Sequence, residues 1–180
     1  MNQEAFFGHI RAPIFGGVLN QKQVNGLNKI LAYQQEKYPA LSLNEFAYIL
    51  ATATWETAHQ MRPIQEGGSH EYLRSKPYWP YIGEGLIQVT WRANYEKFGA
   101  HKPGDLLQWP MALYALFHGM IDGVFTGKKL SDFFTPHRAD WIHAREIVND
   151  LDHADDISKI AQSYATALEA AGYERAPPQA

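Results

Sequence analysis

The chain has 180 residues, 46% hydrophobic, 13% aromatic and 19% charged, which is the composition of a globular protein rather than a disordered one. That length predicts one domain over residues 1–180, with a core large enough to need no metal or disulfide staple. A net charge of −3 argues against a non-specific nucleic-acid binder, and the lack of cysteine excludes disulfides, thiolate metal sites and a cysteine nucleophile.

An apolar N-terminal segment (Phe6, Phe7, Ile10, Ile14, Phe15) ends at Gly16-Gly17. Val24, Leu27, Ile30 and Leu31 recur at helical spacing and predict a helix over 21–38, with Pro39 beyond its end. Ser42-Leu43-Asn44-Glu45 has the form of a capping box. It opens a second helix through Phe46, Ile49, Leu50 and Ala53 to about residue 59. Pro63 and Gly67-Gly68 then break the pattern, and only residues 70–74 make a helical turn before Gly83. A loop of that length is more often functional than not. Residues 85–90 read as a short strand, half of a small hairpin. Thr90 then caps a helix through Phe98, stopped by Gly99. Further helices are predicted at about 110–125, 139–149 and 155–171, and residues 176–180 look like a flexible tail. The expectation is a mainly α fold with one small β element.

On a helical wheel centred on Phe46, residues Ile49, Leu50, Ala53 and Thr57 fall within about 60° and define the buried face. Glu56 falls about 80° from that centre, at the edge of the face and in the last turn. Half-burial and the negative end of a helix both disfavour a charged carboxylate, as a general acid requires. Ten residues on, in a loop marked by proline and glycine, stands Glu66. Two such carboxyls suit sugar hydrolysis: one protonates the leaving oxygen, and the other activates water or stabilises the oxocarbenium ion. Glu71 and Glu84 are rivals for the second role, and spacing does not rank them.

Aromatic residues crowd the same region. Tyr72, Tyr78, Trp79, Tyr81, Trp91 and Tyr95 make six in 24 residues, about twice the average of the chain. Rings with polar tips suit the C–H faces of sugars, could equally stack a nucleic-acid base, and are also the makings of a small satellite core. Glu56-Thr57-Ala58-His59 lacks the first histidine of a zinc motif and His70 has no evident partner, so no metal or other cofactor is expected. No serine-hydrolase or phosphate-binding motif occurs either.

Three segments together resemble glycoside hydrolase family 19, and most closely its phage endolysin branch. They are Ala51-Thr52-Ala53-Thr54-Trp55-Glu56-Thr57-Ala58-His59, then Pro63-Ile64-Gln65-Glu66, and Gly83-Glu84-Gly85-Leu86-Ile87-Gln88-Val89-Thr90-Trp91-Arg92-Ala93-Asn94-Tyr95. Phe15-Gly16-Gly17, Gln23-Val24-Asn25-Gly26 and Ala144-Arg145-Glu146-Ile147-Val148-Asn149 fit the same pattern. The resemblance implies a lysozyme-like helical fold with a cleft between two lobes. It implies Glu56 as general acid, Glu66 as the carboxylate that activates water, and Thr90 as the hydroxyl that helps hold that water. It also implies substrate contacts at Gln88, Asn94 and Asn149, inversion at the anomeric carbon, and no metal. The aromatic candidates for substrate contact are Tyr72, Trp79, Tyr81, Trp91 and Tyr95.

Two positions depart from the family. Trp55 replaces a histidine, and Glu84 stands where the family usually has arginine. The glycines flanking Glu84 suggest a backbone close to the site. A carboxylate there calls for a cation, and Arg62, Arg74 and Arg92 are the nearest in sequence.

The expected function is therefore hydrolysis of β-1,4 glycosidic bonds in bacterial peptidoglycan. The alternatives are a chitinase and a non-catalytic glycan-binding or virion structural protein. No run of apolar residues is long enough to span a membrane, and the first residues lack the pattern of a secretory signal. A monomeric lysin that accumulates in the cytoplasm of an infected bacterium, and reaches the wall with the help of a holin, fits this reading.

Overall fold

Helix α3 (Leu43–Glu56) runs through the centre of the molecule, and its capping box forms as expected. The Glu45 N–H donates to Ser42 Oγ at 3.3 Å, and the Ser42 N–H donates to the Glu45 carboxylate at 2.9 Å. The predicted face of Phe46, Ile49, Leu50, Ala53 and Thr57 is buried. So are Ala47, Tyr48, Ala51, Thr52 and Thr54, so this helix is covered on nearly every side. A helix apolar all round belongs inside a core rather than on its surface.

The computed structural model describes residues 1–174, and the tail expected at 176–180 lies outside them. Two long helices complete the centre. Helix α8 (Ala154–Ala170) packs along α3, and α1 (Gln3–Phe15) packs on α8 through Phe6 and its neighbours. Helix α2 (Gln21–Lys37) begins on a second capping box made by Asn20 and Gln23. The chain leaving α3 crosses it at Gly26, where a Cβ would stand only 1.6 Å from the Met61 carbonyl oxygen. Helix α6 (Trp109–Ile121) covers a further side of α3.

Short elements decorate this helical body. Strand β1 (Ile64–Gln65) pairs antiparallel with β2 (Glu84–Gly85), Ile64 opposite Gly85 and Gln65 opposite Glu84. Helix α4 (His70–Arg74) lies between these strands, where the one helical turn was expected. Helix α5 (Arg92–Lys97) and a 3-10 turn at Asp105–Leu107 follow. Then come α7 (Leu130–Phe133) and a second hairpin, β3 (Phe134–Thr135) with β4 (Arg138–Ala139). A 3-10 turn at His143–Ile147 leads to α8. The fold is mainly helical, with two small antiparallel hairpins. Among the described residues no helix is long and apolar enough to cross a membrane.

Several local expectations are corrected. The apolar run 85–90 is not a strand: after Gly85 it folds into a tight turn that returns Val89 to bridge Glu84. Thr90 does not cap α5, since its Oγ1 donates to the Gln88 carbonyl and Trp91 occupies the cap position. Residues 139–149 form a strand end and a 3-10 turn rather than one α-helix. A short apolar run does not by itself distinguish strand, turn and buried helix, because all three bury it.

Candidate functional site

Helix α3 stops at Glu56 rather than near residue 59, and the reason lies in the backbone. Ala58 and His59 turn left-handed, with φ of 46° and 62°, and the His59 N–H reaches back to the Thr54 carbonyl at 2.7 Å. Thr57 locks the stop, since its Oγ1 donates to the Ala53 carbonyl and accepts the Met61 N–H. Glu56 is thus held at the rim of the core, its side chain 15% exposed. Arg145, 5% exposed, donates from one guanidinium nitrogen to Glu56 Oε1 at 2.8 Å and from Nε to the Asp152 carbonyl at 3.1 Å. Trp55 lies ring to ring with His153 at 4.7 Å, a second tie between the end of α3 and the start of α8. Asn149 is exposed, and its N–H donates to the Arg145 carbonyl.

Glu66 follows β1 directly and is fastened to the opposite strand. Its N–H donates to the Gly83 carbonyl at 2.6 Å, and the Gly83 N–H returns to Glu66 Oε2 at 3.1 Å. The Tyr78 hydroxyl donates to Oε1 at 3.0 Å, so both carboxylate oxygens accept a hydrogen bond. Burial and the neighbouring Glu66 carboxylate push the Tyr78 phenol above its usual pKa. The Tyr78 ring meets the ring of Trp91 edge-on at 5.4 Å, and Trp91 is 48% exposed. Carboxylate, phenol and an open indole face are therefore contiguous.

The polar candidates hold this hairpin together. Gln88 Nε2 donates to the Ile64 and Gly85 carbonyls, and its side chain lies beside Gly83, against which Glu66 is also packed. Asn94 Nδ2 donates to the Thr90 carbonyl. The structure thus brings Glu66, Gln88, Thr90 and Trp91 onto one hairpin and its following turn, with Asn94 tied to them from α5, while Glu56 pairs with the Arg145 side chain and Asn149 with the Arg145 carbonyl. Among the described residues no hydrogen bond or ion pair joins Glu56 to Glu66.

The aromatic residues divide. Tyr72 and Trp79 are exposed, Tyr72 beneath the Lys76 ammonium at 4.0 Å and Trp79 edge-on to His70. Tyr81 is half-buried and donates to the His101 carbonyl. Tyr95 is corrected: it is fully buried, its hydroxyl donates to the Ile82 carbonyl at 2.6 Å, and it belongs to the core rather than to a substrate surface. The Glu71 side chain stands exposed in the first turn of α4.

Backbone strain gathers at the same places. Among the described residues, six non-glycine residues have positive φ: Ala58, His59, Met61, Gln88, Trp91 and His153. Three follow Glu56, two flank Thr90, and one packs on Trp55. An ordinary residue in this conformation costs about 1 kcal/mol or more, and such positions concentrate at functional sites.

No family model, curated protein sequence or solved structure matches the chain. Among the described residues, no three histidine, aspartate or glutamate side chains come together as a metal site.

Sequence reasoning missed Arg145 as a partner and misread Glu84. Arg145 faces Glu56 across 89 positions of sequence, and nothing local to either residue announces the pair. Glu84 is 0% exposed, but among the described residues no cation meets it. Arg62 donates to Gln60, Arg92 pairs with Glu96, and Arg74 is exposed. Both Glu84 oxygens instead accept the Gly104 N–H, at 2.8 and 2.9 Å, and Oε1 also accepts from Gln65 Nε2 at 3.2 Å. Backbone and amide donors therefore replace the expected cation.

Burial holds the Glu84 carboxyl above its ordinary pKa of 4.5, against the lowering effect of the Gly104 N–H, the Gln65 amide and the adjacent Tyr95 hydroxyl, and the charge of Asp105 adds to the rise. Above pH 4.5 the unfolded chain releases this proton while the native protein retains it, so stability should fall as pH rises from there. The fall should end once the native carboxyl has ionised. Glu84→Gln should remove this component, and the gap between parent and variant should widen with pH in thermal melts. Parallel profiles would mean that Glu84 ionises as freely in the fold as outside it.

Proposed function

We propose that this chain is a peptidoglycan-degrading glycoside hydrolase of the family 19 type, with a lysozyme-like fold and a cleft between the hairpin carrying Glu66 and the helical body carrying Glu56. The observation that carries this reading is the setting of Glu66, a carboxylate fastened at both oxygens, whose Tyr78 partner in turn meets the ring of the exposed Trp91. Sugar rings present C–H faces that stack on aromatic rings, and hydrolysis of the bond they share needs a fixed carboxylate nearby.

The two carboxyls are equipped differently, in a way that suits different roles. Arg145 occupies only Oε1 of Glu56, leaving Oε2 to deliver a proton to the glycosidic oxygen. As the leaving group departs, the guanidinium stabilises the carboxylate that forms. Glu66 is surrounded by donors, the arrangement of a base. It accepts a proton from a water molecule that Thr90 helps to hold, while the water oxygen bonds to the anomeric carbon. Solvent then returns a proton to Glu56 and removes one from Glu66. A water between the two carboxyls requires a separation of roughly 6.5–9.5 Å and inverts the anomeric centre. Trp91, Trp79 and Tyr72 offer the stacking faces.

Digestion of purified peptidoglycan and, separately, of chitin tests the proposal. New reducing ends on peptidoglycan fragments by mass spectrometry, with inverted anomeric configuration by NMR, are the expected result. Release from chitin alone would make the protein a chitinase. Binding to either polymer without cleavage would make it a glycan-binding protein.

A further inference from the structure

The most deeply buried carboxylate near the hairpin is not one of the pair assigned to the reaction. Glu84 lies within one residue of Glu66 by two routes. Along β1, Gln65 precedes Glu66 and donates to Glu84 Oε1. Across the hairpin, Gly83 precedes Glu84 and exchanges two hydrogen bonds with Glu66. The far side of Glu84 grips a different part of the molecule, the Gly104 N–H that precedes the 3-10 turn at Asp105–Leu107.

That grip depends on a shaped segment. The Asp105 carboxylate accepts the N–H groups of His101 and Lys102 at 2.9 and 3.1 Å and curls the chain there. Gly104 takes φ of 92°, a conformation that ordinary residues rarely adopt. The approach is close elsewhere too: a Cβ on Gly85 would stand 3.3 Å from the Leu106 carbonyl oxygen. Tyr81 adds a tie from the aromatic loop to the His101 carbonyl. Among the described residues, no other carboxylate hydrogen-bonds the hairpin to this segment.

We propose that Glu84 is a positioning residue for Glu66. Its buried carboxylate clasps the Gly104 N–H and holds the β1–β2 hairpin against the 101–107 segment. The hairpin, held there, fixes the direction of the Glu66 carboxyl. This rests on the reading of Glu66 as the base of a glycoside hydrolase, and it gives a role to an ionisable residue in a fully buried position. Glu84 touches no substrate and acts only through the backbone around Glu66.

Three variants and two readouts test it. Glu84→Ala deletes the clasp. Gly104→Ala leaves Glu84 intact, has room for its methyl group, and strains the conformation that aims the N–H. Glu84→Gln keeps one acceptor for Gly104. Turnover on peptidoglycan should drop at least about tenfold in Glu84→Ala and Gly104→Ala with little change in KM, since a small misplacement of a reacting group slows chemistry more than binding. Glu84→Gln should keep most of the parent's turnover. Independently of activity, the side-chain carboxyl signal of Glu66 in 13C NMR should move in the first two variants and stay near the parent's in the third. Variants that melt earlier but leave kcat and the Glu66 signal unchanged would reduce Glu84 to a structural residue. Should the parent cleave neither polymer, the hydrolase reading fails, while the Glu66 signal still decides whether Glu84 sets its position. Should Glu84→Ala not fold, Gly104→Ala carries the same comparison.

Discussion

Glu56→Gln should retain the fold and lower turnover on peptidoglycan by at least about a hundredfold, the low end of what a general acid contributes. The substitution keeps the shape of the side chain and an oxygen to accept from Arg145, so the tie to the helical body survives. What it removes is the transferable proton on the oxygen that Arg145 does not occupy. Binding should change little, because the stacking faces of Trp91 and Trp79 are untouched. The measurement is the rate of new reducing ends, with circular dichroism to establish folding. A folded variant that hydrolyses at the parent's rate would remove Glu56 from the mechanism and leave its pairing with Arg145 a purely structural feature.

Arg145→Ala should cause the largest loss of stability among these substitutions, about 3 kcal/mol, because it breaks a mostly buried ion pair and leaves one partner behind. Glu56 would keep its carboxyl at a site only 15% exposed with no counter-ion, and the Asp152 carbonyl would lose its donor. For a chain of this size that corresponds to a fall in Tm of roughly 6–12 °C. Removing both partners, with Glu56→Gln and Arg145→Met together, should cost less than Arg145→Ala alone, because no unpaired buried charge remains. Calorimetry of the single and double variants measures both values. A loss below about 1 kcal/mol would put the pair in the class of surface ion pairs, and Arg145 would then contribute to the acid without anchoring α3 to the segment that precedes α8.

The amino-acid sequence by itself determined the parts of this protein that depend on neighbours a few residues apart. The capping box at Ser42, the single turn at 70–74 and the glycine stop after α5 all formed where they were expected, because each is made by groups within one helical turn. The helical pattern through Phe46, Ile49, Leu50 and Ala53 likewise found the right face of α3. It did not show that the opposite face is covered as well, since that depends on helices packed from elsewhere in the chain. The run 85–90 and the segment 139–149 were misread for a related reason: short apolar stretches are equally content in a strand, a turn or a helix, and their surroundings choose among them. Only the tertiary structure paired Arg145 with Glu56, sent Tyr95 into the core, and gave Glu84 the Gly104 N–H in place of a cation. A charge announces in sequence that it needs a partner. Which partner it receives is decided by where distant backbone comes to rest, and at Glu84 a left-handed glycine 20 residues away brought an N–H close enough to make a guanidinium unnecessary.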